Sequence, residues 1–118
     1  MATINLTKGG FLRRIADFEN NPNEWKFLGD KPAMIDFYAS WCGPCKMLLP
    51  VVEELSEEYA GKVDIYKVNI DQEQELASLF NIQSIPTLYF IPLQGRPEKV
   101  MGAKPKHELK AMLDNLLK

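Results

Sequence analysis

Two cysteines, Cys42 and Cys45, are the residues of this 118-residue chain whose type and spacing point most directly to chemistry. They are the only cysteines in the sequence, and they lie in the segment Trp41-Cys42-Gly43-Pro44-Cys45-Lys46. A closely spaced pair of thiols can form a disulfide and open it again by thiol–disulfide exchange. The sequence therefore predicts a redox-active dithiol.

The flanking segments predict a strand followed by a helix. Residues 33–39 form a near-continuous apolar and aromatic run, which is typical of a strand covered on both faces. From about Cys42 to Ala60, apolar side chains recur at helical spacing, namely Leu48, Val51, Val52, Leu55 and Tyr59. We therefore expect the cysteines in the first turn of this helix, where N–H groups lack intrahelical partners and a Cys42 thiolate is stabilised.

Two other uses of the cysteine pair stay open on these residues alone. Such a pair supplies half of many zinc sites, but zinc usually takes four ligands and the chain adds only His107, far away in sequence. Two chains could still pool Cys42 and Cys45 into a four-thiolate metal or cluster site. A purely structural disulfide would close a very short loop and would stabilise the fold little. Redox chemistry is the stronger interpretation.

The segment from Phe37 to Lys46 resembles the active-site segment of the thioredoxin family, and further motifs follow in the order of that family. The likeness runs from about Asn5 to the end of the chain. The matching positions are Asp36 for a buried acid, Pro50 for a helix kink, Asn69-Ile70-Asp71 for a strand end, Ile85-Pro86-Thr87-Leu88 for a cis-proline loop, and Gly102-Ala103 for a loop beside the cysteines.

The resemblance implies a role for individual residues. It makes Cys42 the nucleophile and Cys45 the resolving thiol, which together form a redox-active Cys42–Cys45 disulfide. It places Asp36 beneath Cys45 as a proton relay, with Lys67 tuning its charge. It makes Pro86 a cis-proline that faces the cysteines. The implied substrate-binding rim consists of Trp41, Gly43, Pro44, Ile85, Thr87, Gly102 and Ala103.

Plainer interpretations of these residues stay open at this point. A carboxylate inside an apolar strand must either pair or take up a proton, so Asp36 could be a satisfied structural acid. Lys67 could face solvent, as most strand lysines do. Trp41 could be a core aromatic, and Pro86 an ordinary turn proline.

The implied activity is that of a thiol–disulfide oxidoreductase that reduces disulfides in client proteins. It needs no bound cofactor or metal, so a flavin-dependent thioredoxin reductase is the expected electron donor. Gly43-Pro44 resembles the reducing members of the superfamily, whereas oxidases and isomerases usually carry a histidine there. The alternatives are a dedicated extracytoplasmic reductant or isomerase, and the dimeric metal- or cluster-binding module described above.

Length and composition set further bounds. A chain with 46% hydrophobic and 25% charged residues suits one globular domain, residues 1–118, with an N-terminal part at 1–32 and a catalytic core at 33–118. The net charge of -2 and scattered basic residues predict no nucleic-acid or membrane partner. No signal-peptide pattern is visible, so we expect a cytoplasmic protein. We also expect a monomer. A signal-trimmed periplasmic chain would look the same.

The remaining pattern predicts an α/β fold with a mixed central sheet of about five strands and helices on both faces, and the resemblance implies that this is the thioredoxin fold. We expect an edge strand near Ala2 to Leu6, a helix capped by Thr7, a strand at 63–70, a helix capped by Asp71, hairpin strands at 87–91 and 98–101, and a helix opened by Pro105. The connection from Glu19 to Pro32 carries Trp25 and Phe27. These aromatics either cover the sheet edge, which we favour, or form a partner-binding patch.

Overall fold

A computed structural model describes residues 3–118, and its framework is a five-stranded mixed sheet. The strands are β1 (Ile4–Asn5), β2 (Ala33–Tyr38), β3 (Asp64–Asn69), β4 (Thr87–Ile91) and β5 (Glu98–Met101). They lie in the order β1-β3-β2-β4-β5, in which β1, β3 and β2 run parallel and β4 is antiparallel to both of its neighbours. The helices are α1 (Lys8–Arg14), α2 (Gly43–Glu58), α3 (Gln74–Leu79) and α4 (Lys106–Leu116).

Strand β2 lies at the centre of the sheet because its sequence is apolar on both faces. Successive strand side chains point to opposite faces, so Ile35 faces one core layer and Met34 faces the other. The Ile35 layer includes residues of α1 and α3, among them Phe11 and Leu76. The Met34 layer includes residues of α2 and α4, such as Leu48 and Leu109. The two layers hold β2 and its C-terminal end in a fixed position.

This architecture confirms the predicted fold class. The predicted edge strand begins at Ala2, outside the described residues, and is observed at Ile4–Asn5. Thr7 caps α1 as predicted, since its hydroxyl accepts the Gly10 N–H at 3.1 Å. Helix α1 begins at Lys8 and ends at Arg14. Within residues 3–118, no helix has the length and apolar character needed to span a membrane.

The predicted cap of α3 is wrong. Helix α3 begins at Gln74 after Glu73, and no side chain caps its first turn. Asp71 instead accepts a hydrogen bond from the indole Nε1 of Trp41, at 2.9 Å. The Asp71 carboxylate therefore anchors the loop that precedes the cysteines.

The connection between α1 and β2 packs onto the core. Trp25 and Phe27 are partly buried against the apolar layer that contains Phe11. The Leu28 N–H donates to the Ile15 carbonyl at 2.9 Å, which fastens the connection to the end of α1. These contacts support the covering role for the two aromatics.

Candidate active site

Cys42 and Cys45 form a disulfide across the first turn of α2, with Cα atoms 5.3 Å apart. Cys42 is the N-cap residue in an extended conformation, and its sulfur accepts the Cys45 N–H at 3.2 Å. Pro44 suits the first turn because its missing N–H would have no intrahelical partner there. Helix α2 therefore begins directly after Cys42, and Cys45 lies in its first turn.

The Cys42 sulfur lies at the positive end of a 16-residue helix. In the reduced protein, a Cys42 thiolate would accept the Cys45 N–H as a charge-assisted hydrogen bond, which is stronger than a neutral one. The partial charge of the helix N-terminus adds about 0.3–1 kcal/mol at an exposed end. Both effects favour a thiolate at Cys42.

Several residues of the predicted rim are exposed next to the cysteine pair or contact it. Trp41 is 67% exposed, and Gly43 and Pro44 are also exposed, whereas both cysteines are buried. Ile85 packs against the cysteine cluster, and its carbonyl oxygen lies 3.9 Å from the Cys42 Sγ. The Ile85–Pro86 peptide bond is cis, which is the isomer that the resemblance implied.

The loop after β5 is held beside the cis-proline. The Gly102 N–H donates to the Pro86 carbonyl at 2.9 Å, and the next residue, Ala103, is exposed. Gly102 has a φ of 93°, and a Cβ at this position would meet no atom within 4 Å. The backbone conformation therefore requires glycine here, while the space in front of it stays open.

Thr87 does not belong to the rim. Its side chain is fully buried, and its hydroxyl donates to the Ser84 carbonyl at 2.7 Å. Its strand, β4, is flanked by β2 and β5, so the backbone is covered on both edges as well. The predicted substrate contact is therefore corrected, because Thr87 ties the cis-proline loop to the sheet.

Asp36 is a buried acid that lacks a hydrogen-bond partner. It is 1% exposed, and neither carboxylate oxygen has a partner within the described part of the chain. Because it is two residues from Met34 on β2, it points into the layer between the sheet and α2. Burial raises the pKa of Asp36 from 3.8 to about 7, and the positive charge of Lys67 lowers it by a smaller amount. This carboxyl group can therefore gain and lose a proton near neutral pH.

Lys67 lies directly beside Asp36. The two residues pair in register between β2 and β3, so their side chains share one face of the sheet. The Lys67 side chain is only 13% exposed, and its Nζ lies 3.5 Å from the Glu53 Oε2 on α2. The interpretation of Lys67 as a solvent-facing lysine is therefore wrong.

Three neighbours of the site were not assigned to it from sequence: Asp71, Ser84 and Glu53. Asp71 accepts a hydrogen bond from the Trp41 indole, although 30 residues separate the two in sequence. The Ser84 carbonyl accepts a hydrogen bond from the Thr87 hydroxyl. Glu53 holds Lys67 across the gap between helix and sheet. No local pattern encodes the contacts of Asp71 and Glu53, since each depends on how separate elements pack.

Two clefts in the described part of the chain lie away from the cysteine pair. One cleft of about 330 Å³ lies beside Trp25, and another of about 470 Å³ lies beside Leu93, and neither is lined by a cysteine. A shallow rim suits an extended protein segment better than an enclosed small molecule. Among residues 3–118, no three His, Cys, Asp or Glu side chains are grouped so that they could hold a metal ion.

Comparison with known proteins decides the family. The family model described as Thioredoxin matches residues 14–115. The chain belongs to the thioredoxin family. It is 50% identical over 99 residues to a thioredoxin of Borreliella burgdorferi, a match that covers 84% of each chain. It is 43% identical over 117 residues to a thioredoxin of Alicyclobacillus acidocaldarius, covering 98% of this chain and 99% of the relative.

The fold has a counterpart among solved structures. The crystal structure of chloroplastic thioredoxin z matches with a TM-score of 0.78, covering 98% of this chain and 95% of that one. At 22% identity, this likeness speaks for the fold alone. Family membership together with the close cysteine pair shows a thiol–disulfide oxidoreductase that acts on protein disulfides. The metal-binding module and the dedicated extracytoplasmic enzyme are not favoured.

The raised pKa of Asp36 predicts how stability depends on pH. The folded chain binds this proton more tightly than the unfolded chain, so the contribution to stability is full below pH 3.8 and is lost as the pH rises to about 7. In Asp36→Asn this loss is absent. From pH 4 to pH 8, we therefore expect the free energy of unfolding of Asp36→Asn to rise relative to that of the wild type, by an amount on the order of 4 kcal/mol. Urea unfolding of both oxidised proteins across this range measures it, and a pH-independent difference would contradict the buried, unpaired carboxyl group.

Gly102 provides a second prediction. In Gly102→Ala, the left-handed conformation at φ 93° becomes strained, although the new methyl group meets no neighbour. We expect a loss of about 1–2 kcal/mol in the free energy of unfolding. Gly43→Ala is the matched control, because its Cβ also meets open space and its φ is not positive. Equal losses in the two variants would show that the conformation of Gly102 is not the cause.

Proposed function

We propose that this protein is a general protein-disulfide reductase in which Cys42 is the nucleophile and Cys45 the resolving thiol. The observation that carries the proposal is the Cys42 sulfur at the N-cap of α2, where it accepts the Cys45 N–H beside an exposed rim. The reducing direction is supported by Gly43 and Pro44, the pair that resembles the reducing members of the superfamily.

The proposed reaction transfers two electrons from the dithiol to the substrate. The Cys42 thiolate attacks one sulfur of a substrate disulfide, forms a mixed disulfide, and releases the other substrate sulfur as a thiolate that takes up a proton. Cys45 gives its proton to the Asp36 carboxylate and attacks the Cys42 sulfur. The Cys42–Cys45 disulfide forms, and the second substrate sulfur leaves as a thiolate that is then protonated. The substrate is reduced, and the protein is oxidised.

The proposed role of Asp36 rests on its burial and its lack of partners. A group whose pKa is about 7 can accept a proton from a thiol and release it again near neutral pH. Lys67, its neighbour across the strands, tunes the charge of this carboxyl group. We assign both residues to the proton transfer and neither to substrate binding.

The proposed substrate-binding surface consists of the exposed rim and the cis-proline loop. An extended client segment would lie along the Ile85 backbone beside the Cys42 sulfur, as strand-like peptides do at exposed backbone edges. Pro86 shapes this loop and faces the cysteines. The other members of the surface are Trp41, Gly43, Pro44, Gly102 and Ala103.

Disulfide-containing proteins are the usual substrates of the thioredoxin family, and thioredoxin reductase is its usual partner. We propose a flavin-dependent thioredoxin reductase as the electron donor here, because dithiol exchange needs no cofactor bound to this chain. We further propose that residues 1–118 act as a monomeric single domain in the cytoplasm, where thiols are kept reduced.

The activity is tested by reduction of insulin disulfides under dithiothreitol. We expect the wild type to accelerate the reaction and Cys42→Ser to abolish that acceleration, because the variant cannot form the mixed disulfide. A redox equilibrium with glutathione then tests the direction. A potential well below that of the glutathione couple supports a reductase, while a clearly more oxidising potential would assign the protein to the oxidases or isomerases.

The proton relay is tested by single-turnover release of a chromogenic thiol from its mixed disulfide with Cys42. In Asp36→Asn, Cys45 must lose its proton without the buried carboxylate, so we expect release at pH 7 to slow by roughly 10- to 100-fold. Asp30→Asn is the control, because Asp30 is an exposed carboxylate outside the site. A release rate in Asp36→Asn equal to that of the wild type would remove Asp36 from the mechanism.

A further inference from the structure

Glu53 is a third charged side chain next to Asp36 and Lys67, and the proposed mechanism does not use it. Its Oε2 lies 3.5 Å from the Lys67 Nζ, and the Thr3 hydroxyl donates to the same oxygen at 2.9 Å. The Glu53 side chain is 20% exposed, so this pair is largely removed from solvent. Asp36, by contrast, has no hydrogen-bond partner among residues 3–118. The Lys67 ammonium is therefore held by Glu53 and not by Asp36.

This ion pair differs from the others made by α2. Glu54 and Glu58 reach Lys106 and Lys110 of α4, and most of these side chains are a third or more exposed. Exposed pairs of this kind contribute little to stability. A pair that is mostly buried loses hydration, which offsets much of its attraction. Stability alone therefore gives little reason for Glu53 to hold Lys67 next to a buried acid.

Few other groups that carry charge face Asp36. Its neighbour on β4 is Leu88, and α4 contributes Leu109 and Leu113 to the same core layer. The one further titratable group that our mechanism brings to it is the Cys45 thiol, at the start of α2. Lys67 is therefore the main charge that acts on Asp36, and Glu53 is the group that holds Lys67.

We propose that Glu53 is a positioning residue for proton transfer at Asp36, which holds the Lys67 ammonium and limits how strongly that ammonium stabilises the Asp36 carboxylate. The proposal rests on the role of Asp36 proposed above. Two effects act in the same direction. The charge of Lys67 is shared between two carboxylates, and the negative charge of Glu53 itself disfavours a second negative charge nearby. Asp36 thus remains a base strong enough to take the Cys45 proton.

Glu53→Gln tests this role. The amide oxygen can still accept a hydrogen bond from Lys67, so the variant removes the charge while it keeps the contact. We expect the Asp36-dependent inflection in the pH profile of mixed-disulfide release to move down by roughly one pH unit. Isotope-edited NMR of the Asp36 carboxyl group in the reduced protein should show the same shift. Glu57→Gln is the control, since Glu57 is an exposed carboxylate on the same helix.

The outcomes separate the two proposals. If the wild type and Asp36→Asn share one pH profile, Asp36 is no relay, and the role of Glu53 falls with it. If the inflection depends on Asp36 but Glu53→Gln leaves it unmoved or raises it, the role of Glu53 alone is overturned. A loss of stability in Glu53→Gln without a shift of the inflection or of the NMR titration would show that Glu53 only anchors the helix. A downward shift that is absent from Glu57→Gln supports the proposal.

Discussion

An unpaired carboxyl group in the most buried strand is the constraint on which the rest of this structure depends. Strand β2 is covered on both faces, so Asp36 is shielded from solvent, and among residues 3–118 no hydrogen-bond partner stabilises its charged form. The fold tolerates it because one cation lies beside it on β3. That cation is in turn held by Glu53 on α2, which links the sheet to the helix that carries the cysteines. The position of α2 and the charge of the acid beneath it are thus coupled.

The cysteine pair depends on the same helix in a different way. Cys42 caps α2, so the position of its sulfur follows from where the helix begins, and Pro44 helps to fix that beginning. The segment before it is held by the hydrogen bond between Trp41 and Asp71. The cis-proline loop is held by Thr87 and by the backbone of Gly102. The Trp41 segment and the cis-proline loop are therefore held by contacts with other parts of the chain, whereas the cysteine pair is positioned by its own helix.

This division explains what could be predicted from the sequence. Local patterns predict the strand at 33–38, the helix after Cys42 and the sheet as a whole. The spacing of apolar residues and the position of turn residues indicate helices and strands within a short stretch of chain. The spacing of the cysteines favours a redox-active dithiol but leaves a metal site open, and membership of the thioredoxin family decides between the two. The residues of the rim and the cis isomer of the Ile85–Pro86 bond were predicted from the resemblance. A cis peptide bond before proline is rare, and nothing else in the sequence indicates one here.

The errors share one physical cause, which is that long-range contacts override local preference. Asp71 has the right type and spacing to cap α3, but its carboxylate is taken by Trp41 from another loop. Thr87 belongs to a motif near the substrate, yet strand pairing on both edges buries it. The plainer alternative for Lys67, a solvent-facing strand lysine, fails for the same reason, because Glu53 on α2 covers it. Such contacts emerge only once separate elements are packed together.

The packing separates two tasks that one site must perform. A client protein is large, so the attacked sulfur has to lie at a shallow rim, where water also has access. The proposed proton transfer between Cys45 and Asp36 requires the opposite environment, because burial is what raises the pKa of the Asp36 carboxyl group to about 7. Helix α2 reconciles the two, since its first turn reaches the surface while its next turns cover the face of the sheet with Asp36 and Lys67. In the proposed mechanism, a change at Glu53 would therefore act on proton transfer at Cys45 without altering the proposed substrate-binding surface.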